Sequence, residues 1–71
     1  MQIHLNGELH ECPDAMSLAA LVATLDLTGK RIAVEINGEI APRSQHASII
    51  LHANDRVEIV QAIGGGSGPT G

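Results

Sequence analysis

The chain contains no Phe, Trp or Tyr, so any core it forms has to be assembled from aliphatic side chains alone. Its 71 residues include 19 Ile, Leu and Val, helped by Ala and two Met, which is enough for one small core and too little for two. The same absence excludes aromatic stacking on single-stranded nucleic acid and an aromatic cage for a cation. Eight acidic groups against four basic ones give a formal charge of -4, the wrong sign for gripping phosphate backbones. Cys12 is the single cysteine and has no intrachain partner, so the fold stands on packing, as reduced cytoplasmic proteins do. The opening MQIHLNGELHE lacks a basic region followed by an apolar one, and the longest Ile/Leu/Val run is Ile49 to Leu51. Neither a signal peptide nor a membrane span is expected, and the expected location is the cytoplasm.

Polar and apolar residues alternate from Gln2 to Leu5, Asn6-Gly7 supplies a turn that tolerates positive φ, and Glu8 to Cys12 resumes an extended pattern. This is a hairpin with two possible registers. A two-residue turn sets Leu5 opposite Glu8, as the turn chemistry favours, whereas a three-residue loop pairs Leu5 with Leu9, as the facial pattern favours. Pro13-Asp14 ends the strand. Leu18, Leu21, Val22 and Leu25 then fall at i, i+3, i+4 and i+7, one aliphatic stripe of a helix expected over Leu18 to Thr28. Ser17 is its N-cap, Met16 its staple partner for Leu21, and Gly29 its left-handed stop.

Ile32, Val34 and Ile36 alternate with Ala33 and Glu35, and Asn37-Gly38 repeats the first turn. Leu5-Asn6-Gly7-Glu8-Leu9 and Ile36-Asn37-Gly38-Glu39-Ile40 share one frame, read as two similar turns and not as a repeat fold. Pro42 closes that segment. A polar stretch, Arg43 to His46, leads to the apolar run at Ile49 and the turn residues Asn54-Asp55, and Arg56 to Ile63 is the last strand. The order strand, strand, helix, strand, strand implies an α+β domain, a mixed sheet of four to five strands with one main helix packed on one face. Residues 1–63 form that domain, and Gly64 to Gly71, with five glycines and no apolar side chain, form a flexible tail.

Catalytic constellations are missing. Ser17, Ser44, Ser48 and Ser67 sit in no nucleophile elbow, and His4, His10, His46 and His52 have no carboxylate or nucleophile at diagnostic spacing. Gly64 to Gly66 are no P-loop, because no Lys-Ser/Thr pair and no helix follow. An enzyme is not expected. His10 and Cys12, two apart on one strand face, could share a metal ion, but a closed zinc site needs four ligands, and a surface His beside a small buried thiol explains the pair equally well. The tail is read either as a frayed end or as the working part of the chain.

Val57-Glu58-Ile59-Val60-Gln61-Ala62-Ile63-Gly64-Gly65-Gly66 resembles the C-terminal strand and diglycine of the ubiquitin-like sulfur carriers, whose fold is the β-grasp. More narrowly, Met1 to Gly7, the capped helix from Ser17 to Leu27, and Val34-Glu35-Ile36-Asn37-Gly38-Glu39-Ile40-Ala41-Pro42-Arg43 are similar to the ThiS family of thiamin thiazole synthesis. That resemblance covers about residues 1–66. It implies a C-terminal glycine that is adenylated and converted to a thiocarboxylate, Gly66 or alternatively Gly65, with Gly64, Gly65 and Gly66 entering partner active sites. It also implies three partners: an E1-like adenylating enzyme of the ThiF type that uses ATP, a thiazole synthase of the ThiG type, and a sulfur donor protein. No cofactor and no metal belong to the carrier itself, and the sulfur does not travel on Cys12. Ser67 to Gly71 depart from the pattern, because family carriers end on their glycine; these residues are removed by a protease, or are an appended remnant, or mark a copy that does not work as a carrier. Rival readings are the small subunit of molybdopterin synthase, which shares fold and diglycine, and a His/Cys metal-binding module.

Overall fold

The computed structural model describes residues 1–61 of the chain. Strands β1 (Gln2–Leu5) and β2 (Glu8–Glu11) precede helix α1 (Leu18–Thr24); β3 (Ile32–Ile36), β4 (Glu39–Ile40), a single 3-10 turn (Arg43–Gln45) and β5 (Arg56–Gln61) follow. They form one five-stranded sheet in the order β2-β1-β5-β3-β4, in which β1 and β5 run parallel and the other neighbours antiparallel. This is the mixed sheet with one helix that the element order implied, and the last strand in sequence lies at its centre.

The first hairpin takes the register that pairs Leu5 with Glu8. Asn6 and Gly7 both have positive φ, 52° and 84°, as a two-residue turn of the right twist requires. Turn chemistry therefore prevails over facial pattern, and Leu9 faces outward, 63% exposed. Asn37 and Gly38, at 53° and 86°, make the same turn between β3 and β4.

Ser17 caps α1 as expected, its hydroxyl accepting the Ala20 N–H at 3.0 Å. The two N–H groups before it are met by other segments: Leu18 N–H donates to the Ile49 carbonyl and Ala19 N–H to that of His46. Leu51 N–H donates to the Met16 carbonyl, so the Ile49 to Leu51 run lies along the helix entry, joined there by the Ser17–Ile50 bridge. The helix is shorter than expected, ending at Thr24 instead of Thr28. Asp26 adopts the left-handed conformation at φ 63°, its N–H bonds the Ala23 carbonyl, and Leu27 N–H bonds that of Val22. That pair of bonds is the Schellman termination. An Asp can make it because its short polar side chain tolerates this region better than most, and Gly29 serves the next turn.

The core lies between α1 and one face of the sheet. Ile3, Cys12, Leu18, Leu21, Val22, Val34, Ala41, Leu51, Val57 and Ile59 are buried. Along β5, Val57 and Ile59 point in while Arg56, Glu58 and Val60 point out, the period-2 alternation of a half-covered strand. His46, read in sequence as part of a polar stretch, is buried too; its Nε2 donates to the Ala41 carbonyl at 3.0 Å, which satisfies the ring inside the fold. Ala62 and Ile63, expected to complete the last strand, lie outside the described residues. Among the described residues no helix is long and apolar enough to cross a membrane.

Candidate functional site

The residues singled out in the sequence, Gly64, Gly65 and Gly66, lie outside the described residues. The element that precedes them in the chain is β5. β5 is the central strand, bonded to β1 on one side and to β3 on the other, and its last described residue, Gln61, pairs with Ile32 at the start of β3. The last described residues of β5 are therefore held in the middle of the sheet, beside the loop that joins α1 to β3.

The two Asn-Gly turns grip that strand from both sides. Asn6 N–H donates to the Val57 carbonyl at 2.9 Å, and Asn6 Oδ1 accepts the Ile59 N–H at 2.8 Å. The Asn6 side chain thus continues the ladder past the end of β1, satisfying a half-buried donor that β1 is too short to reach. On the other side Asn37 N–H donates to the Arg56 carbonyl, Asn37 Oδ1 accepts the Arg56 N–H at 2.9 Å, and Asn37 Nδ2 donates to Asp55 Oδ1 at 3.1 Å. Sequence reasoning read both asparagines only as turn residues. The signal was the repeated frame itself: a turn needs only a residue that tolerates positive φ, whereas a repeated Asn points to use of its amide.

Asn6→Ala is accordingly expected to cost about 1–3 kcal/mol for the orphaned Ile59 N–H, and roughly another 1 kcal/mol for an alanine at positive φ. Asn6→Asp keeps an acceptor in place and should lose markedly less. Urea midpoints of the three proteins check this, and an Asn6→Ala protein as stable as wild type would contradict the role assigned to the side chain.

The uncovered face of the sheet is assigned by register. His4 pairs with Leu9 and Arg56, Glu35 with Ile40 and Glu58, and Ala33 with Val60. This face exposes Leu9, Ile40 and Val60, the last two 68% and 62% accessible, around Glu35 and Glu58. Val60 lies one residue before the end of the described strand, so apolar surface reaches the last described residues of the sheet's central strand.

The metal reading finds no support in the geometry. His10 and Cys12 do lie on the core side of the sheet, Cys12 buried, but among the described residues no group of three His, Cys, Asp or Glu side chains could hold an ion. His4 is on the opposite face, His46 is bonded to a carbonyl, and His52 lies 3.9 Å from Asp55 in the turn before β5.

A family model described as the ThiS family matches residues 3–66. The Sulfur carrier protein ThiS of Escherichia coli is 33% identical over 66 residues, covering 93% of this chain and all of that protein. A thiazole synthase of Magnetococcus marinus is 36% identical over 69 residues, 97% of this chain, yet the chain spans only 21% of that protein's length. Among solved structures, a thiamine biosynthesis protein (ThiS) from Geobacter metallireducens superposes with a TM-score of 0.80 at 25% identity, covering 93% of this chain and the whole of that one. The β-grasp architecture expected from the resemblance is therefore the architecture found.

Proposed function

The chain belongs to the ThiS family, and on that premise we propose that it is a sulfur carrier of thiamin biosynthesis whose C-terminal glycine, Gly66, bears the sulfur as a thiocarboxylate. The observation that carries the reading is where the family match stops: it runs through β5 and ends at Gly66.

The chemistry follows from what a carboxylate lacks. A free carboxylate is a poor electrophile, so one of its oxygens must first attack the α-phosphorus of ATP, releasing pyrophosphate and leaving an acyl-adenylate. Sulfide-level sulfur from the donor then attacks the acyl carbon, the C–O bond to AMP breaks and AMP leaves, and the terminus ends with one sulfur in place of one oxygen; where the donor holds its sulfur as a persulfide, a thiol reductant cleaves the resulting acyl disulfide. None of these steps uses a side chain of this protein as acid, base or nucleophile; the carrier is a substrate of its partners. Its own contribution is to present an extended end. Residues without a Cβ let Gly64, Gly65 and Gly66 pass into a narrow channel, while the folded head is what partners recognise.

The partners implied are an E1-like adenylating enzyme, a sulfur donor and a thiazole synthase. Support for the last comes from the Magnetococcus marinus protein of that name, in which a segment like this whole chain occupies about a fifth of a longer protein. Such a protein couples a carrier-like unit to thiazole synthesis in one polypeptide, and this favours the thiamin reading over molybdopterin. The adjoining apolar surface of Val60, Ala33 and Ile40 supports a docking face at the base of the tail.

The test is intact-mass spectrometry of the chain ended at Gly66 after incubation with ATP, the adenylating enzyme and a sulfur source. Every element and the whole core described above lie within residues 1–61, so this form keeps them. The expected product has one oxygen replaced by sulfur at the C-terminus. A chain that gains neither adenylate nor sulfur, while a control carrier reacts in the same mixture, overturns the assignment.

A further inference from the structure

We propose that the end of the sheet from which β5 leaves is a basic docking surface, fitted to an acidic lip around the channel of the adenylating enzyme that receives the tail. This rests on the carrier reading above and adds to it which face of the head the enzyme meets and by what chemistry.

The chain has only four Lys and Arg residues, and three of them gather at this end. Ile32 pairs with Gln61, so Arg31 and Lys30 are the next residues beside the departing strand. Arg43 comes from the other side of the loop, its guanidinium donating to the Lys30 carbonyl. All three side chains are exposed, and among the described residues none has a carboxylate within ion-pairing distance. Asp26 is the one acid in the same loop. Glu39 and Asp55 lie instead at the far end of the sheet, where β5 begins, together with Glu11, opposite Gln2, and Asp14, which pairs with the N-terminal ammonium; Arg56 is the one Lys or Arg there, and Glu35 and Glu58 face each other between the two ends. A chain whose net charge is -4 thus gathers three of its four Lys and Arg at the end of the sheet where Gln61 lies and four of its eight acids at the opposite end.

Such a separation has a physical consequence. Opposed charged ends orient an approaching partner and raise its association rate, and the effect fades as salt screens it. A partner that takes the glycines approaches the end of the sheet at which Lys30 and Arg31 adjoin Ile32, the residue paired with Gln61. Nucleic acid or an anionic membrane is a poor fit, since the remainder of the chain would be repelled. Between α1 and the 3-10 turn, the same end has a groove of about 220 Å³ lined by Val22, Leu27, Ile32 and Ala47 with Arg43 and His46 at its polar side. It suits an acidic segment that also carries an aliphatic side chain.

The experiment compares the chain ended at Gly66 with its Lys30→Glu/Arg31→Glu form, following association with the adenylating enzyme by stopped flow. Arg43 is left in place because it ties the loop together. At low ionic strength the double reversal is expected to slow association by roughly tenfold or more, and the two proteins should converge near 1 M salt, where the Debye length is about 3 Å. Thermal midpoints should agree, because neither side chain is buried. If the wild type is thiocarboxylated and the reversal associates equally fast at low salt, the docking surface is overturned and the carrier reading stands. If the wild type neither binds nor is modified, both fall.

Discussion

Gly65→Val is expected to abolish thiocarboxylate formation while leaving the thermal midpoint of the protein within about a degree of wild type. Gly65 stands four residues beyond Gln61, the end of the described β5, and every buried core residue described lies before it. For a domain of this size 1 kcal/mol moves the midpoint by roughly 4–8 °C, so an unchanged melt means the substitution costs the head only a small fraction of that. The added isopropyl group acts in the partner's channel, where a β-branched residue both widens the chain and restricts its backbone. A melt lowered by several degrees would show that the glycines belong to the fold, and normal sulfur loading would show that they need not be slender.

Leu21→Ala should do the opposite. Leu21 is fully buried at the centre of the α1 stripe, packed with Leu18 and Val22 against Val34, Val57 and Ile59 in the core cluster. Truncation of such a leucine costs about 2–5 kcal/mol, the lost transfer energy plus the cavity left behind. At roughly 0.05–0.15 kcal/mol per residue, a chain of this length has about 4–10 kcal/mol in total, so the truncation removes about half of it. With no aromatic side chain and no disulfide to share the load, few alternatives compensate. Urea denaturation measures the loss, and Ile40→Ala, on the uncovered face, serves as the control that should change stability little. A Leu21→Ala protein within 1 kcal/mol of wild type would contradict the assignment of α1 as the lid of the core.

The elements most legible in the sequence were those whose local chemistry and packing agree. Ser17, the i, i+3, i+4, i+7 aliphatic stripe and the alternation at Val57 and Ile59 gave the helix start and the existence of the last strand directly, because one side-chain period serves both local geometry and burial, whereas its place at the centre of the sheet came only from the structure. Where the two disagree, local chemistry decided. Asn6-Gly7 imposed a two-residue turn and left Leu9 outside, and Asp26 ended α1 early although Leu27 continues its apolar pattern. Leu27 looks helical in sequence because it packs on the core, but it does so from a reversed chain. His46 was illegible for a different reason: its partner is the Ala41 carbonyl, and a backbone acceptor leaves no residue-type signature. The clustering of Lys30, Arg31 and Arg43 was equally hidden, since it needs the loop after α1 and the 3-10 turn to meet. Gly64 to Gly71 were conspicuous in sequence because the segment carries five glycines and no apolar side chain, and they lie outside the described residues.

The central claim is that the acceptor is the carboxylate of Gly66, and chain length tests it most directly. With Ser67 to Gly71 attached, that carboxylate is an amide, which is a far weaker nucleophile toward ATP and cannot form the acyl-adenylate. One adenylation assay should therefore be run on the 71-residue chain and on the chain ended at Gly66, with the products read by intact mass. The account predicts adenylate and then thiocarboxylate on the shorter form alone, with the two forms melting together. Sulfur loaded at Gly71 of the longer chain as readily as at Gly66 of the shorter would contradict it.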